Sequence, residues 1–249
     1  MPRFFIKGEG IEVDRLPETL FLRGEDAFHL SVSLRARVGD EVILCTENGL
    51  EILCTVSSLS GGKKNPEASL TPVSASESRS ESSVSITLYQ GMPKGKKTDS
   101  ILQKCTELGV DRVVFVYSDR SIPTPSSEDN KLDRFTRICE EAAKQCGRGK
   151  LVKVTMLPSV ELAVEEMKKD DLAFACWEEE GEKTLKMLLR EGEYHTASFF
   201  IGPEGGLSER EVELFRRASI PTVTLGRRIL RTETAASAVL SMFLYEIEL

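Results

Sequence analysis

The sequence predicts an α/β chain in two parts: a small β-rich N-terminal domain over residues 1–73, and a larger domain over residues 84–249 built on a mostly parallel sheet. Three observations carry this. Up to Val73 the apolar stretches are short and punctuated by turn residues. From Ser74 to Ser83 the chain is almost wholly Ser, Glu and Arg, which reads as a polar linker. From Val84 onward short apolar runs alternate with helical periodicity, as in a sheet with helices on both faces.

In the first part, strands are expected at Arg3–Ile6, Glu41–Cys45 and Glu51–Val56, with Asn48-Gly49 as the turn of a hairpin. Several short strands with little helix suggest a small barrel or sandwich. In the second part, Val84–Gln90 is a strand, and Lys97–Leu108 is a helix with Ile101, Leu102, Cys105 and Leu108 on one face, ended by Gly109. A run buried on both faces follows at Arg112–Tyr117. Lys131–Cys146 is an amphipathic helix. The alternation then continues with a strand at Leu172–Cys176, a helix at Thr184–Arg190, a strand at Ala197–Ile201, a helix at Ser208–Arg217, a strand at Thr222–Leu225 and a last helix at Glu233–Glu248. Ser208-Glu-Arg-Glu211 has the spacing of a capping box, and Thr232 is placed to cap the last helix.

Composition excludes several classes. The 33 basic and 40 acidic residues leave a net charge of −7, so any nucleic-acid contact must use a local basic patch. No apolar run approaches the ~20 residues of a membrane span, and no signal-peptide pattern opens the chain. The expectation is a soluble cytoplasmic protein with no membrane contact. The six cysteines form no C-x-x-C, and His29 and His195 are the only histidines, so no metal site is expected and the thiols read as reduced and buried. No G-x-S-x-G occurs, which argues against a hydrolase triad.

Three segments carry candidate chemistry. Gly91-Met-Pro-Lys-Gly-Lys-Lys-Thr98 joins a strand to a helix, but a phosphate loop needs glycine where Lys96 stands. Lys94, Lys96 and Lys97 are left as either a phosphate-backbone contact or a solvated turn. Ile201-Gly-Pro-Glu-Gly-Gly206 lies between a strand and a helix, where open α/β sheets bind ligands, and its three glycines around an apparently buried Glu204 favour a ligand loop. In Leu225-Gly-Arg-Arg-Ile-Leu-Arg-Thr-Glu-Thr-Ala235, Arg227, Arg228 and Arg231 interleave with Ile229 and Leu230 at a helix start. That pattern suits an anion beside a flat ring, or a charged loop anchored by two apolar residues.

Taken in order, these motifs resemble the RsmE family of bacterial methyltransferases, which act on uracil N3 of 16S ribosomal RNA. Also matching are Pro2-Arg-Phe-Phe5, His29-Leu30, Leu34-Arg35, Gly39-Asp40, Gln103-Lys-Cys-Thr-Glu-Leu-Gly-Val110 and Glu141-Ala-Ala-Lys-Gln-Cys-Gly-Arg148, so the likeness covers nearly the whole chain. One departure is Leu151-Val152-Lys153, where the family usually has a proline nearby. The resemblance implies a PUA-like N-terminal β-barrel, a C-terminal SPOUT domain with a trefoil knot, S-adenosylmethionine as cofactor, a homodimer, and 16S rRNA of the small subunit as partner. Nothing in the periodicity points to a knot.

For that reaction the chain needs a base for the N3 proton and a cation for charge on the flanking carbonyl oxygens. Glu233 is the first candidate base, with Arg231 as its electrostatic partner and Glu204 as the alternative base; Glu233 as a simple helix cap paired with Arg231 is the rival reading. Cofactor contacts are expected from Ile201, Gly202, Pro203, Glu204, Gly205, Gly206, Leu225, Gly226, Ile229, Leu230, Thr234 and Ala235. RNA contacts are expected from Arg3, Arg35, Lys94, Lys96, Lys97 and Arg228. Other expectations from the same residues are methylation of another RNA position or atom, or a non-catalytic RNA-binding ribosome assembly factor.

Overall fold

The computed structural model describes residues 1–6, 11–47, 49–62, 64–122, 128–190 and 192–247. It divides into two compact units, one formed by Met1–Glu81 with Ala143–Leu151, the other by Ser82–Ala142 with Val152–Leu249.

The first unit is a five-stranded sheet of β1 (Arg3–Ile6), β2 (Leu20–Arg23), β3 (Glu41–Thr46), β4 (Leu50–Ser60) and β5 (Glu67–Glu77), in the order β1-β3-β4-β5-β2. A short helix α1 (Gly24–Phe28) and a π-helical turn follow β2. Alternation along β4 buries Leu50, Ile52, Cys54 and Val56 against Phe4, Leu44 and Leu70. Among the described strands, β1 and β2 are unpaired edges, so the expected barrel is an open sheet. The β3–β4 hairpin forms as expected, although Asn48 lies outside the described residues.

The expected linker at 74–83 is corrected. Residues 74–77 belong to β5, where Ser74 pairs with Leu53 and Glu77 with Leu50. Serine and glutamate side chains can point to solvent while their backbone completes a ladder, so composition concealed the strand. Further along, Glu81 is held by Arg148 at 2.6 Å, with side chains 8% and 4% exposed. Residues 143–151 therefore return to the first unit at a place where sequence patterning showed only the end of a helix.

The second unit is a six-stranded, wholly parallel sheet in the order β11-β9-β10-β6-β7-β8. Its strands are β6 (Ser85–Gly91), β7 (Arg112–Val116), β8 (Lys153–Leu157), β9 (Leu172–Cys176), β10 (Thr196–Ile201) and β11 (Thr222–Val223). Helices α2 (Lys97–Glu107), α3 (Glu128–Cys146), α5 (Leu185–Leu189) and α7 (Thr232–Ile247) carry residues of one core, and α4 (Val160–Met167) and α6 (Glu209–Arg217) carry residues of the other. Phe199 and Phe200 are neighbours in β10, yet one belongs to each core. That is why the central strands read as continuous apolar runs. Burying such a side chain contributes roughly 1.5–3 kcal/mol.

The elements β8 and α4 have no counterpart in the sequence expectations; each is short, and β8 is an edge strand. Local chemistry marks the helix ends more reliably. Gly109 has φ 84° at the end of α2. At α6 the Glu211 amide donates to Ser208 Oγ at 3.2 Å, and the Ser208 amide donates to Glu211 Oε2 at 2.8 Å, completing the capping box.

Candidate active site

Parallel pairing in register brings four strand ends to one edge. Ile201 stands opposite both Gln90 and Cys176, and Val223 opposite Cys176. Between β6 and β10 the strand order reverses direction, with β7 and β8 continuing to one side and β9 and β11 to the other. In open α/β sheets the loops on either side of such a point diverge and leave a crevice. Here a cavity of about 330 Å³ opens there.

Its walls come from three loops. The turn after β10 supplies Gly202, Pro203, Glu204 and Gly206; the segment after β11 supplies Leu225 to Thr232; Cys176 ends β9, and Trp177 and Glu178 follow it. Lys97 closes it from the start of α2. Leu225 and Leu230 are half-buried against the core, whereas Ile229 is 84% exposed. Burial pushes the Cys176 thiol well above its ordinary range, leaving a neutral thiol in the wall.

Gly202 and Gly206 leave no room for a side chain. A Cβ on Gly202 would stand 3.0 Å from the Gly206 carbonyl carbon, and one on Gly206, at φ 69°, would stand 2.0 Å from Glu178 Oε1. Buried Gln90 ties the loops together: its Nε2 donates to Thr232 Oγ1 at 2.8 Å and to the Ile201 carbonyl at 3.3 Å. Thr232, expected as a cap, instead donates its hydroxyl to the Gly202 carbonyl at 2.7 Å. The first turn of α7 is thereby fastened to the turn after β10.

Glu204 is exposed, contrary to the expectation of a buried carboxylate. Its Oε1 accepts from the Lys94 amide at 3.0 Å and from Lys97 Nζ at 2.9 Å. Partial burial works to raise its pKa, but these donors outweigh it and the carboxyl titrates below its usual range. Glu233 differs. Its Oε2 is buried and has no hydrogen-bond partner, and its ion pair is with Lys97 at 3.9 Å, not with Arg231. Arg231 is exposed at the mouth beside Arg228.

Of the expected cofactor residues, Ile201, Gly202, Pro203, Glu204, Gly206, Leu225, Gly226, Ile229, Leu230 and Ala235 line the cavity, while Gly205 and Thr234 do not. The Gly205 carbonyl instead accepts from Arg120 Nη1 at 2.7 Å. Among the expected RNA contacts, Lys94, Lys96 and Arg35 are exposed, the last in the first unit at φ 56°. Arg3 is different: it is 12% exposed, pairs with Glu51 at 2.7 Å and donates to Cys45 Sγ at 3.0 Å, so its charge is engaged within the first unit. Sequence reasoning missed Glu178, Val223 and Thr224 as lining residues. Their positions at or just beyond strand C-termini were the available signal. Trp177, left open between packing and pocket, does both, with the Arg216 guanidinium 5.5 Å from its ring. Among the described residues no cluster of His, Cys, Asp and Glu suits a metal ion, and no helix is long and apolar enough to cross a membrane.

Comparison with known proteins gives a consistent picture. Residues 80–244 match a family model described as an RNA methyltransferase domain. The chain is 32% identical to the ribosomal RNA small subunit methyltransferase E of Bacillus subtilis over 100% of its own length and 98% of that protein. Its structure is similar to that of a ribosomal RNA small subunit methyltransferase E from Neisseria gonorrhoeae bound to S-adenosyl methionine, with TM-score 0.81 and 29% identity, covering 98% of this chain and 97% of the other. A Legionella pneumophila protein solved with bound SAM gives TM-score 0.83 and 26% identity, covering 98% and 96%.

Proposed function

The chain belongs to the ribosomal RNA small subunit methyltransferase E (RsmE) family, and from that premise we propose that it methylates N3 of a uracil in 16S rRNA, using S-adenosylmethionine. The observation that carries this reading is the buried, unbonded Glu233 Oε2, which does not itself line the cavity but faces Lys97 and stands in the first turn of α7 with Thr232 and Ala235, all three of which do.

The residues present fit the cofactor. Leu225 and Leu230 offer apolar surface for a flat ring, and Gly202 and Gly206 bring backbone to the cavity. When bound, S-adenosylmethionine supplies a methyl group on a positively charged sulfur. Glu233 Oε2, which no donor occupies, would take up the N3 proton that leaves on methylation. Arg231, exposed at the mouth, stabilises negative charge on the uracil carbonyl oxygens. Glu204 is the poorer base, since its oxygen already accepts two donors.

We read the first unit, whose sheet runs on to Glu77, as a PUA-like RNA-binding module, and the second unit as a SPOUT domain with a knotted end. The protein acts as a cytoplasmic homodimer on the small subunit; exposed Met242 and Tyr245 on α7 supply apolar surface for a second copy. Phosphate contacts come from Lys94, Lys96, Arg228 and Arg35. A non-catalytic assembly factor has no use for a free carboxylate beside an anionic RNA, which favours the enzyme.

The test is incubation with labelled S-adenosylmethionine and small subunits from a strain lacking uracil-N3 methylation, followed by nucleoside mass spectrometry. The expected product is 3-methyluridine. Another methylated nucleoside overturns the target atom, and cofactor binding without any product overturns the enzyme reading.

A further inference from the structure

We propose that Lys97 is a positioning residue for methyl transfer, holding the Glu233 carboxylate so that one oxygen stays free for the substrate proton. The inference rests on the reading of Glu233 as proton acceptor given above.

Three chain segments meet at the Lys97 ammonium. It opens α2, it donates to Glu204 in the turn after β10 at 2.9 Å, and it faces Glu233 in the first turn of α7 at 3.9 Å. Helix stability does not explain this placement, because a cation in the first turn of a helix opposes the macrodipole. Nor does general attraction for RNA, since neighbouring Lys94 and Lys96 are exposed whereas Lys97 turns to the carboxylates with 32% of its side chain exposed.

The two carboxylates are treated differently. Glu204 Oε1 accepts two hydrogen bonds and thereby braces the ammonium. Glu233 Oε2 lies beyond hydrogen-bonding distance, so the attraction orients it without occupying its lone pairs. Without Lys97, two carboxylates would stand near one cavity with no shared cation, and Glu233 would lose the charge that aims it. The residue that sequence suggested as its partner, Arg231, makes no ion pair with it among the described residues.

The test compares wild type, Lys97→Met and Lys97→Arg on small ribosomal subunits, with cofactor affinity measured by calorimetry and RNA affinity measured against salt. Lys97→Met is expected to lower kcat by about 10- to 100-fold, a part of what a base contributes. KM for RNA, cofactor affinity and salt slope should stay within about threefold of wild type, and Lys97→Arg should recover most of kcat because charge is retained. A loss confined to KM with a salt slope lower by about one would make Lys97 a phosphate contact and overturn the proposal. So would a tenfold weaker cofactor with kcat preserved, or an unchanged kcat. A double-mutant cycle of Lys97→Met with Glu233→Gln, read as unfolding midpoints, needs no turnover. Additive effects there overturn the pairing itself, whereas a wild type that methylates nothing overturns the reaction reading while the cycle still decides the pairing.

Discussion

A Cβ on Gly91 would stand 2.5 Å from the Cδ of Pro203 and 2.6 Å from its nitrogen. The last residue of β6 and the turn after β10 are therefore in contact without room for a methyl group, and neither partner atom is the end of a flexible side chain. Gly91→Ala should push the Pro203 turn away, at a cost of about 2 kcal/mol, typical of overpacking. Cofactor affinity should fall at least tenfold with it, because that turn walls the cavity. Urea unfolding and calorimetry measure both, and an unshifted urea midpoint would refute the prediction.

Gly206 is a sharper probe of the cavity than Gly205. Sequence placed Gly205 among the cofactor contacts, but a Cβ there meets Arg120 at 3.0 Å, and neither residue lines the cavity. At Gly206, φ 69° disfavours any side chain and Glu178 would have to move. Gly206→Ala is expected to cost about 1 kcal/mol in backbone strain and to weaken cofactor binding at least tenfold, while Gly205→Ala leaves affinity within about threefold of wild type. Equal affinities for the two variants would contradict the geometry.

The Glu81–Arg148 pair links stability to acid. Burial works to raise the Glu81 carboxyl, but the Arg148 guanidinium and the Gly149 amide, which donates at 2.8 Å, outweigh it and hold it below its ordinary value. A carboxyl depressed in the folded state stabilises fully above its unfolded value, about 4.5, and that contribution disappears as pH falls below it. Removing one partner of a buried pair costs about 3–5 kcal/mol. Glu81→Gln should thus destabilise the protein near neutrality and flatten the loss of stability as pH falls below about 4.5. Parallel pH curves for the two proteins would count against this.

Arg3 and Lys96 separate structure from RNA contact. Lys96→Ala should weaken RNA binding uniformly and reduce the salt slope by about one, because an exposed lysine acts as a point charge on phosphate. Arg3→Ala should leave the slope alone and lower stability by about 2 kcal/mol, since it strips a largely buried Glu51 of its partner. A slope change on Arg3→Ala would reverse the assignment.

Features written in local chemistry were legible from sequence. β1 and β9 coincide with their apolar runs, and the Ser208–Glu211 box needs nothing beyond four residues. The cavity was legible through its loops, because strand ends in a parallel sheet share one edge. What stayed hidden was decided by distant partners. Lys97 turns to Glu204 and Glu233 more than a hundred positions away, and Arg3 to Glu51, so a lysine or arginine in isolation read as a phosphate contact. Glu204 looked buried because glycines surrounded it, yet its oxygen is spent on bracing a neighbouring turn.

The pairing of β6 with β10 has a consequence for biosynthesis. Ser85 lies opposite Thr196, so the centre of the sheet joins segments 111 positions apart. At synthesis rates of about 5–20 residues per second, β6 waits on the order of ten seconds with one hydrogen-bonding edge unpaired and its apolar faces only partly covered. Distant pairings of this kind also slow folding, because the loop between them must be closed first. The nascent chain is consequently most exposed to aggregation and to chaperone capture after β6 to β8 have emerged and before β10 arrives.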